Sequence, residues 1–88
     1  MNTETLRRKM ETALHEAIDS DPAARVVVEV KGDAVGGFVL SDSFAQWSTV
    51  ERQDHVRAYV ERVLTPSEGA RVLFLIADTH AEYAALTN

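Results

Sequence analysis

The chain has 88 residues, of which 45% are hydrophobic and 26% are charged, and its formal net charge at pH 7 is −5. This size and composition predict one soluble globular domain, residues 1–88, rather than a disordered segment. The acidic balance argues against broad binding to a nucleic-acid backbone, which needs a surplus of Lys and Arg on one face. The lack of cysteine excludes disulfides and thiolate metal sites. Without a long apolar run or a signal peptide, the chain is expected to be cytoplasmic.

The first helix is predicted from about Thr3 to Asp19, because apolar residues recur there at three- and four-residue spacing. Ser20-Asp21-Pro22 ends it, since the residue before a proline is disfavoured in a helix. The alternating, β-branched segment from Arg25 to Lys31 is the first predicted strand. The segment from Lys31 to Gly37, with its three glycines, is predicted to be a hairpin turn, because it lacks the spacing of a phosphate-binding loop.

The second strand, Phe38 to Ser41, is expected to pair antiparallel with the first because the link is short. An extra helical turn around Phe44 to Trp47 fits the pattern that follows. Ser48-Thr49-Val50-Glu51 is a capping box, and it begins the main helix. This helix buries a stripe that ends at Leu64, and its charged residues are expected to face mostly away. Thr65-Pro66 ends the helix, and the next residues, to Gly69, are predicted to form a turn.

The third strand, Arg71 to Ala77, is a continuous apolar run, which is typical of a strand covered on both sides. It follows a strand–helix crossover, so it is expected to pair in parallel through a right-handed connection. Thr79-His80-Ala81-Glu82 repeats the capping-box pattern and begins a short terminal helix with Tyr83 and Leu86 on its inner face. The predicted fold is a small α+β domain in the order αββ(α)αβα, with a three-stranded mixed sheet and two main helices packed on one face.

One face of this sheet remains to be covered. The residues expected to face the two helices are Val26, Val28, Val30, Phe38, Leu40, Val72, Phe74 and Ile76. The residues expected on the opposite face are Val27, Val39, Leu73 and Leu75. These four aliphatic side chains would form an apolar patch that water disfavours. Either the terminal helix covers the patch through Tyr83 and Leu86, or a protein partner or a second copy of the chain docks there.

No residue pattern in the chain points to catalysis. The three histidines lie in separate predicted elements and lack the spacing of metal ligands: His15, His55 and His80. The serines that precede the main helix lack the GxSxG context of a hydrolase: Ser41, Ser43 and Ser48. Trp47, the lone tryptophan, is either a lid over the core or an exposed contact for a partner. The sequence therefore predicts a protein that is not an enzyme.

The segment from Gly37 to Tyr83 resembles the BolA family. The matching residues are Gly37-Phe38-Val39-Leu40-Ser41-Asp42-Ser43-Phe44, then Arg52 and Val56 on the main helix, then the run VLFLIADTHAEY from Val72 to Tyr83. The resemblance implies a class II KH-like fold and a small non-enzymatic adaptor. Members of the family typically pair with monothiol glutaredoxins and share a [2Fe–2S] cluster with them, and some are linked to transcriptional control.

Three parts of the chain depart from the family's pattern. The family's Arg-His-Arg on the main helix is Arg52-Gln53-Asp54 here, and Arg71 replaces a histidine at the start of the last strand. The family's histidine- or cysteine-bearing loop corresponds to Lys31 to Gly37, which contains neither residue. We therefore expect a BolA-like interaction domain without metal or cofactor ligands. A monothiol glutaredoxin is implied as a partner by the resemblance alone.

The predicted partner surface combines the turn before the main helix with the open sheet face. Its candidate residues are Asp42, Phe44, Trp47, Val27, Val39, Leu73 and Leu75. The alternative is a KH-like nucleic-acid-binding or transcription-regulating protein, which would require arginines gathered on one face. The candidates for that role are Arg52, Arg57, Arg62 and Arg71.

Overall fold

The computed structural model describes residues 3–18 and 21–87. Its elements are α1 (Thr3–Ala17), β1 (Arg25–Lys31), β2 (Ala34–Leu40), a 3₁₀ helix (Asp42–Gln46), α2 (Thr49–Val63), α3 (Pro66–Gly69), β3 (Val72–Asp78) and α4 (His80–Thr87). The predicted α+β order is confirmed, and α3 is one helical turn more than the sequence predicted. The predicted helix end at Asp19 and the stop at Ser20 lie outside the described residues. None of the helices described is both long and apolar enough to cross a membrane.

The sheet has the strand order β1-β2-β3 and is mixed, as predicted. β1 and β2 are antiparallel, with Val26 opposite Val39 and Val27 opposite Phe38. β2 and β3 are parallel, and their pairing ends with Leu40 opposite Asp78. The parallel pairing follows from the α2 crossover, which carries the chain back to the end of the sheet where β2 began.

The hairpin turn is shorter than the sequence predicted. Gly32 and Asp33 alone form it, and Gly32 adopts a φ of +62° that disfavours other residues. Ala34–Gly37 belongs to β2, so the second half of the predicted turn is wrong. Gly36 and Gly37 serve close packing instead of turning: a Cβ on Gly36 would lie 2.1 Å from the Phe74 ring. Sequence composition alone does not separate these two uses of glycine.

α1 and α2 pack side by side on one face of the sheet, as predicted. Their apolar stripes and the inward side chains of the strands form one core. Its largest fully buried members are Phe44, Leu6, Met10, Leu14, Val35, Val39 and Val56. Burial of each such side chain contributes about 1.5–3 kcal/mol relative to its exposure.

A register shift near the start of β3 reverses part of the predicted facing. Val35 is opposite Val72, whereas the next residue of β2, Gly36, is opposite Phe74. Because side chains alternate along a strand, one extra residue moves every later side chain to the other face. Leu75 therefore packs against the core, and the predicted outward facing of Leu75 is wrong.

The facing predicted for β2 is also wrong, because the strand begins at Ala34 and its register with β1 follows from the two-residue turn. Val39 is opposite Val26 and fully buried in the core, so it does not face outward. Phe38 is opposite Val27 and lies on the face away from α1 and α2. By alternation along β2 and β3, the other residues wrongly assigned to the helix side are Leu40, Phe74 and Ile76.

α4 covers the centre of this second face. The ring of Phe38 lies 5.1 Å from that of Phe74 and 5.7 Å from that of Tyr83, both in edge-to-face geometry. Tyr83 thus occupies the inner position predicted for it, whereas Leu86 is 75% exposed and does not. Of the two predicted explanations for this face, cover by α4 accounts for the aromatic centre.

Candidate functional site

A groove of about 730 Å³ runs between α2 and β3. Residues from successive turns of α2 form its wall, and residues of β3 form its floor. The residues that line it include Gln53, Arg57, Val60, Glu61, Leu73 and Leu75. Leu73 is the most exposed of the large apolar side chains that line it, at 57%. We call this feature the α2–β3 groove.

The backbone of β3 faces this groove. The carbonyl of Asp78 accepts the Ser41 N–H at 3.0 Å, so the polar groups of Asp78 point to β2. Because both backbone groups of a residue in a parallel strand point the same way and alternate along the chain, Leu75 and Ala77 direct theirs to the outer edge. The Ala77 carbonyl there accepts from the Arg52 guanidinium at 3.5 Å. Leu75 is also one of the residues that line the α2–β3 groove.

The two edges of the sheet differ in how they are protected. The β1 edge carries three exposed charged residues within one strand, Arg25, Glu29 and Lys31. Charged side chains on an edge strand discourage pairing with another chain. β3 reads VLFLIAD and contains no charge before its last residue. The β3 edge is therefore the one with the composition of a pairing strand.

Arg52 joins three elements at one end of this edge. Its Nε donates to the Trp47 carbonyl at 3.1 Å, and its Nη1 donates to Glu82 at 2.7 Å. Arg52 is 8% exposed, so the prediction that it faces away from the core is wrong. The physical reason is that its charge is paired with Glu82 and that Nε and Nη1 also donate to the backbone carbonyls of Trp47 and Ala77, which compensates for burial.

The pKa values of Glu82, a member of this ion pair, and of the neighbouring Asp78 are shifted in opposite directions. The backbone N–H of Thr79 and then the Arg52 guanidinium hold the pKa of Glu82 below its usual value. Burial, helped by the negative charge of Glu82, raises the pKa of Asp78 above its usual value. Burial thus disfavours the ionised form of the Asp78 carboxyl in the folded chain.

The four arginines proposed for nucleic-acid contact do not form one surface. Arg52 is buried, and Arg71 is half-buried, with Nη2 donating to Thr3 Oγ1 at 3.3 Å. Arg57 and Arg62 are exposed, and the Arg62 guanidinium lies 4.9 Å from the centre of the Tyr59 ring. Five residues on a helix separate Arg57 from Arg62 by about 140°. The arrangement that the nucleic-acid alternative requires is therefore absent among these four.

The two aromatic side chains in the turn between β2 and α2 are directed toward the core. Phe44 is 1% exposed and belongs to the core, so its predicted place on a docking surface is wrong. Trp47 is half-buried, 5.9 Å from Phe44 and 4.7 Å from His55 between ring centres, which matches a lid over the core. Asp42 is exposed, and its Oδ1 accepts the backbone N–H of His80 at 3.2 Å.

Of the predicted open-face patch, two residues remain at the surface. Val27 is 38% exposed and Leu73 is 57% exposed. The side chains of Val39 and Leu75 pack in or against the core and do not belong to the predicted open-face patch. Leu73 lies in the α2–β3 groove, whereas Val27 lies across the sheet beside Phe38. The predicted patch is thus divided between two places.

Serine, aspartate and histidine come together below the end of β2 without forming a catalytic triad. Ser41 is fully buried, and its hydroxyl donates to Asp21 Oδ2 at 2.6 Å and lies 2.6 Å from Ser43 Oγ. This bond, with the Ala23 N–H, holds the pKa of Asp21 below its usual value. His80 Nε2 lies 3.1 Å from the Ala23 carbonyl. A hydrolase needs a serine bonded to a histidine base, and here the serine is bonded to the carboxylate.

Each of the three histidines lies in a different helix of the chain. His15 is exposed on α1, and His55 Nε2 lies 2.8 Å from the Ala17 carbonyl at the end of α1. Since a carbonyl only accepts, Nε2 of His55 carries the proton. Throughout residues 3–18 and 21–87, no group of three His, Cys, Asp or Glu side chains is arranged to hold a metal ion.

Two features escaped sequence reasoning although signals for them existed. Thr65-x-x-Glu68 is a capping box that begins α3, where a turn was predicted. Glu68 is 3% exposed and pairs with Lys9 at 2.9 Å, which fastens α3 to α1. The sequence held a weaker signal for the α2–β3 groove. It predicted Leu73 as a partner contact and Arg57 as a nucleic-acid contact, and so did not place the two residues in one site. Only the register of β3 brings them together.

The comparisons with known proteins support the fold. No protein-family model matches the chain, and no curated protein matches it. Among solved structures, the crystal structure of a Bol-like protein from Babesia bovis matches with a TM-score of 0.55 at 16% identity. The match covers 93% of each chain. The chain therefore has a BolA-like fold, as the resemblance predicted, and identity this low bears on the fold alone.

Proposed function

We propose that this chain is a non-catalytic protein-interaction domain that binds a polypeptide partner along the α2–β3 groove. The observation that carries the proposal is the outer edge of β3, an apolar edge strand whose residues line that groove. Interaction domains commonly bind an extended segment as an added strand, with main-chain bonds for affinity and pockets for specificity. Here α2 supplies a wall on one side of such a strand.

The lining of the groove fits a protein partner better than a small polar substrate. Its lining combines aliphatic residues, Val60 and Leu73 among them, with the opposite charges of Arg57 and Glu61. Protein interfaces commonly combine apolar contacts with charged and polar groups in this way. The net charge of −5 disfavours an extended nucleic-acid contact at the same place.

The BolA-like fold makes a monothiol glutaredoxin the first partner to examine. Support for this candidate is the fold likeness alone. Arg71 stands where the resemblance would place a histidine, and arginine is not an iron ligand. We therefore propose an interaction that does not depend on a shared cluster. Val27, Asp42 and Trp47, which lie elsewhere on the surface, remain predictions as partner contacts.

Affinity capture with matched surface variants tests the proposal. Leu73→Asp places a charge in the groove, and Val50→Asp makes the same kind of change outside it, on a side chain 68% exposed in the first turn of α2. We expect wild type and Val50→Asp to retain the same protein from lysate, identified by mass spectrometry, and Leu73→Asp to lose it. Reconstituted binding of the purified partner by calorimetry should weaken about tenfold or more with Leu73→Asp. Retention that is equal for all three baits contradicts the proposal.

A further inference from the structure

We infer that the α2–β3 groove accepts a second copy of this chain, with the two β3 strands pairing antiparallel about a twofold axis. This inference rests on the proposed interaction role of the groove and names an occupant for it. Two observations carry it independently: the backbone of the β3 edge, and a pair of opposite charges on the groove wall.

The backbone of β3 is complementary to itself. Its outward groups, at Leu75 and beyond, recur at every second residue, and an antiparallel copy presents the same spacing from the other side. A twofold axis makes such an interface self-complementary, so each bond formed by one copy is repeated by the other. The Ala77 carbonyl is already engaged by Arg52 and the register shift near Val72 interrupts the alternation, so the free ladder is short and centres on Leu75.

The groove wall is complementary to itself in charge. Arg57 and Glu61 are four residues apart on α2, both are exposed, and both line the groove. Neither forms an ion pair within the described part of the chain. A twofold axis across the groove places the two α2 helices antiparallel, so Arg57 of each copy approaches Glu61 of the other. One contact pair is thereby made twice.

Leu73 adds the apolar part of the contact. Its side chain is 57% exposed in the single chain, and it lines the groove together with Arg57 and Glu61. Pairing at the β3 edge removes it from water in both copies. Fully buried aliphatic residues at the centre and charges at the rim are the arrangement found in specific interfaces.

The oligomeric state of charge-swapped variants tests the inference. The full chain is examined by sedimentation equilibrium from about 1 to about 500 µM, where mass action separates monomer from dimer. We expect wild type to dimerise and Arg57→Glu or Glu61→Arg to raise the dissociation constant about tenfold or more, since each swap creates two like-charge contacts. Arg57→Glu with Glu61→Arg should restore the wild-type constant, and Val50→Asp should leave it unchanged. Far-UV circular dichroism confirms that each variant is folded.

Two outcomes overturn the inference. A monomeric wild type across the whole range contradicts it, and so does a dimer that ignores both the charge swaps and Leu73→Asp. Its failure is separable from failure of the proposed function. If the chain is monomeric but still retains a protein from lysate that Leu73→Asp fails to retain, the dimer is refuted and the proposed partner binding stands. If the chain forms a dimer that the charge swaps weaken, but retains no other protein from lysate, the groove serves self-association and the proposed partner binding is refuted.

Discussion

Gly36→Ala should destabilise the fold, although alanine is usually the better residue in a strand. In open surroundings, this substitution would stabilise by about 0.5–1 kcal/mol, because glycine loses more conformational freedom on folding. At Gly36 the new Cβ would lie 2.1 and 2.2 Å from two atoms of the Phe74 ring. Carbon atoms in contact are about 3.5–4.0 Å apart, so the ring must move by about 1.5 Å.

The ring of Phe74 cannot move without disturbing its neighbours. It packs edge-to-face on Phe38, which in turn contacts Tyr83 of α4. Overpacking of this kind costs about 1–3 kcal/mol, which exceeds the gain from alanine. We therefore expect a net loss of about 1–2 kcal/mol in the free energy of unfolding. For a domain of this size each kcal/mol lowers Tm by about 4–8 °C.

Urea unfolding followed by circular dichroism measures the effect. The midpoint should fall at constant slope, because the substitution changes the native packing and not the extent of unfolding. Phe74→Leu provides the matched background, since it removes the obstructing ring. In that background Gly36→Ala should be neutral or stabilising. A variant as stable as wild type, or an equal loss in both backgrounds, would refute the close approach of Phe74 to Gly36.

Three further predictions concern charge, capping and the turn. Asp78→Asn should raise the free energy of unfolding at pH 7, because burial raises the pKa of Asp78 and disfavours its ionised form. Urea titrations should show this gain fade as the pH falls through the unfolded-state pKa of about 3.9 and vanish about one pH unit below it, where Asp is neutral in both states. Thr65→Ala removes the hydroxyl that accepts the Glu68 N–H, and calorimetry should show a loss of about 1 kcal/mol, which Thr65→Ser should spare. Gly32→Ala at φ +62° should cost about 1 kcal/mol in urea unfolding, with Gly32→Asn costing less.

The element order was predictable because local signals in this chain agree with one another. The capping box at Ser48 and Glu51 is present with both of its hydrogen bonds. β1 was predicted with the bounds that it has. Such signals depend on residues close together in the sequence, so one amino-acid sequence is enough to recognise them. The BolA-like fold followed from that order together with the resemblance of Gly37 to Tyr83.

The facing of side chains was not predictable from the same signals. β3 is apolar at nearly every position, so alternation could not reveal which residues face inward, and the shift near Val72 changed the answer. Arg52 was assigned outward from its charge, yet its partner Glu82 is 30 residues away in sequence. The β3 register and the Arg52–Glu82 ion pair both depend on residues far apart in the sequence, and composition does not encode such pairing.

Alternation of the β3 backbone has a consequence for amide hydrogen exchange. The N–H of Ile76 points to β2, so its proton is protected until the sheet opens, whereas that of Leu75 points to the groove. Neighbouring amides of one strand should therefore exchange at very different rates in the single chain. Any polypeptide that adds to the strand would slow Leu75 while leaving Ile76 unchanged. The pattern of exchange along β3 would thus record occupancy of the groove directly, whatever occupies it.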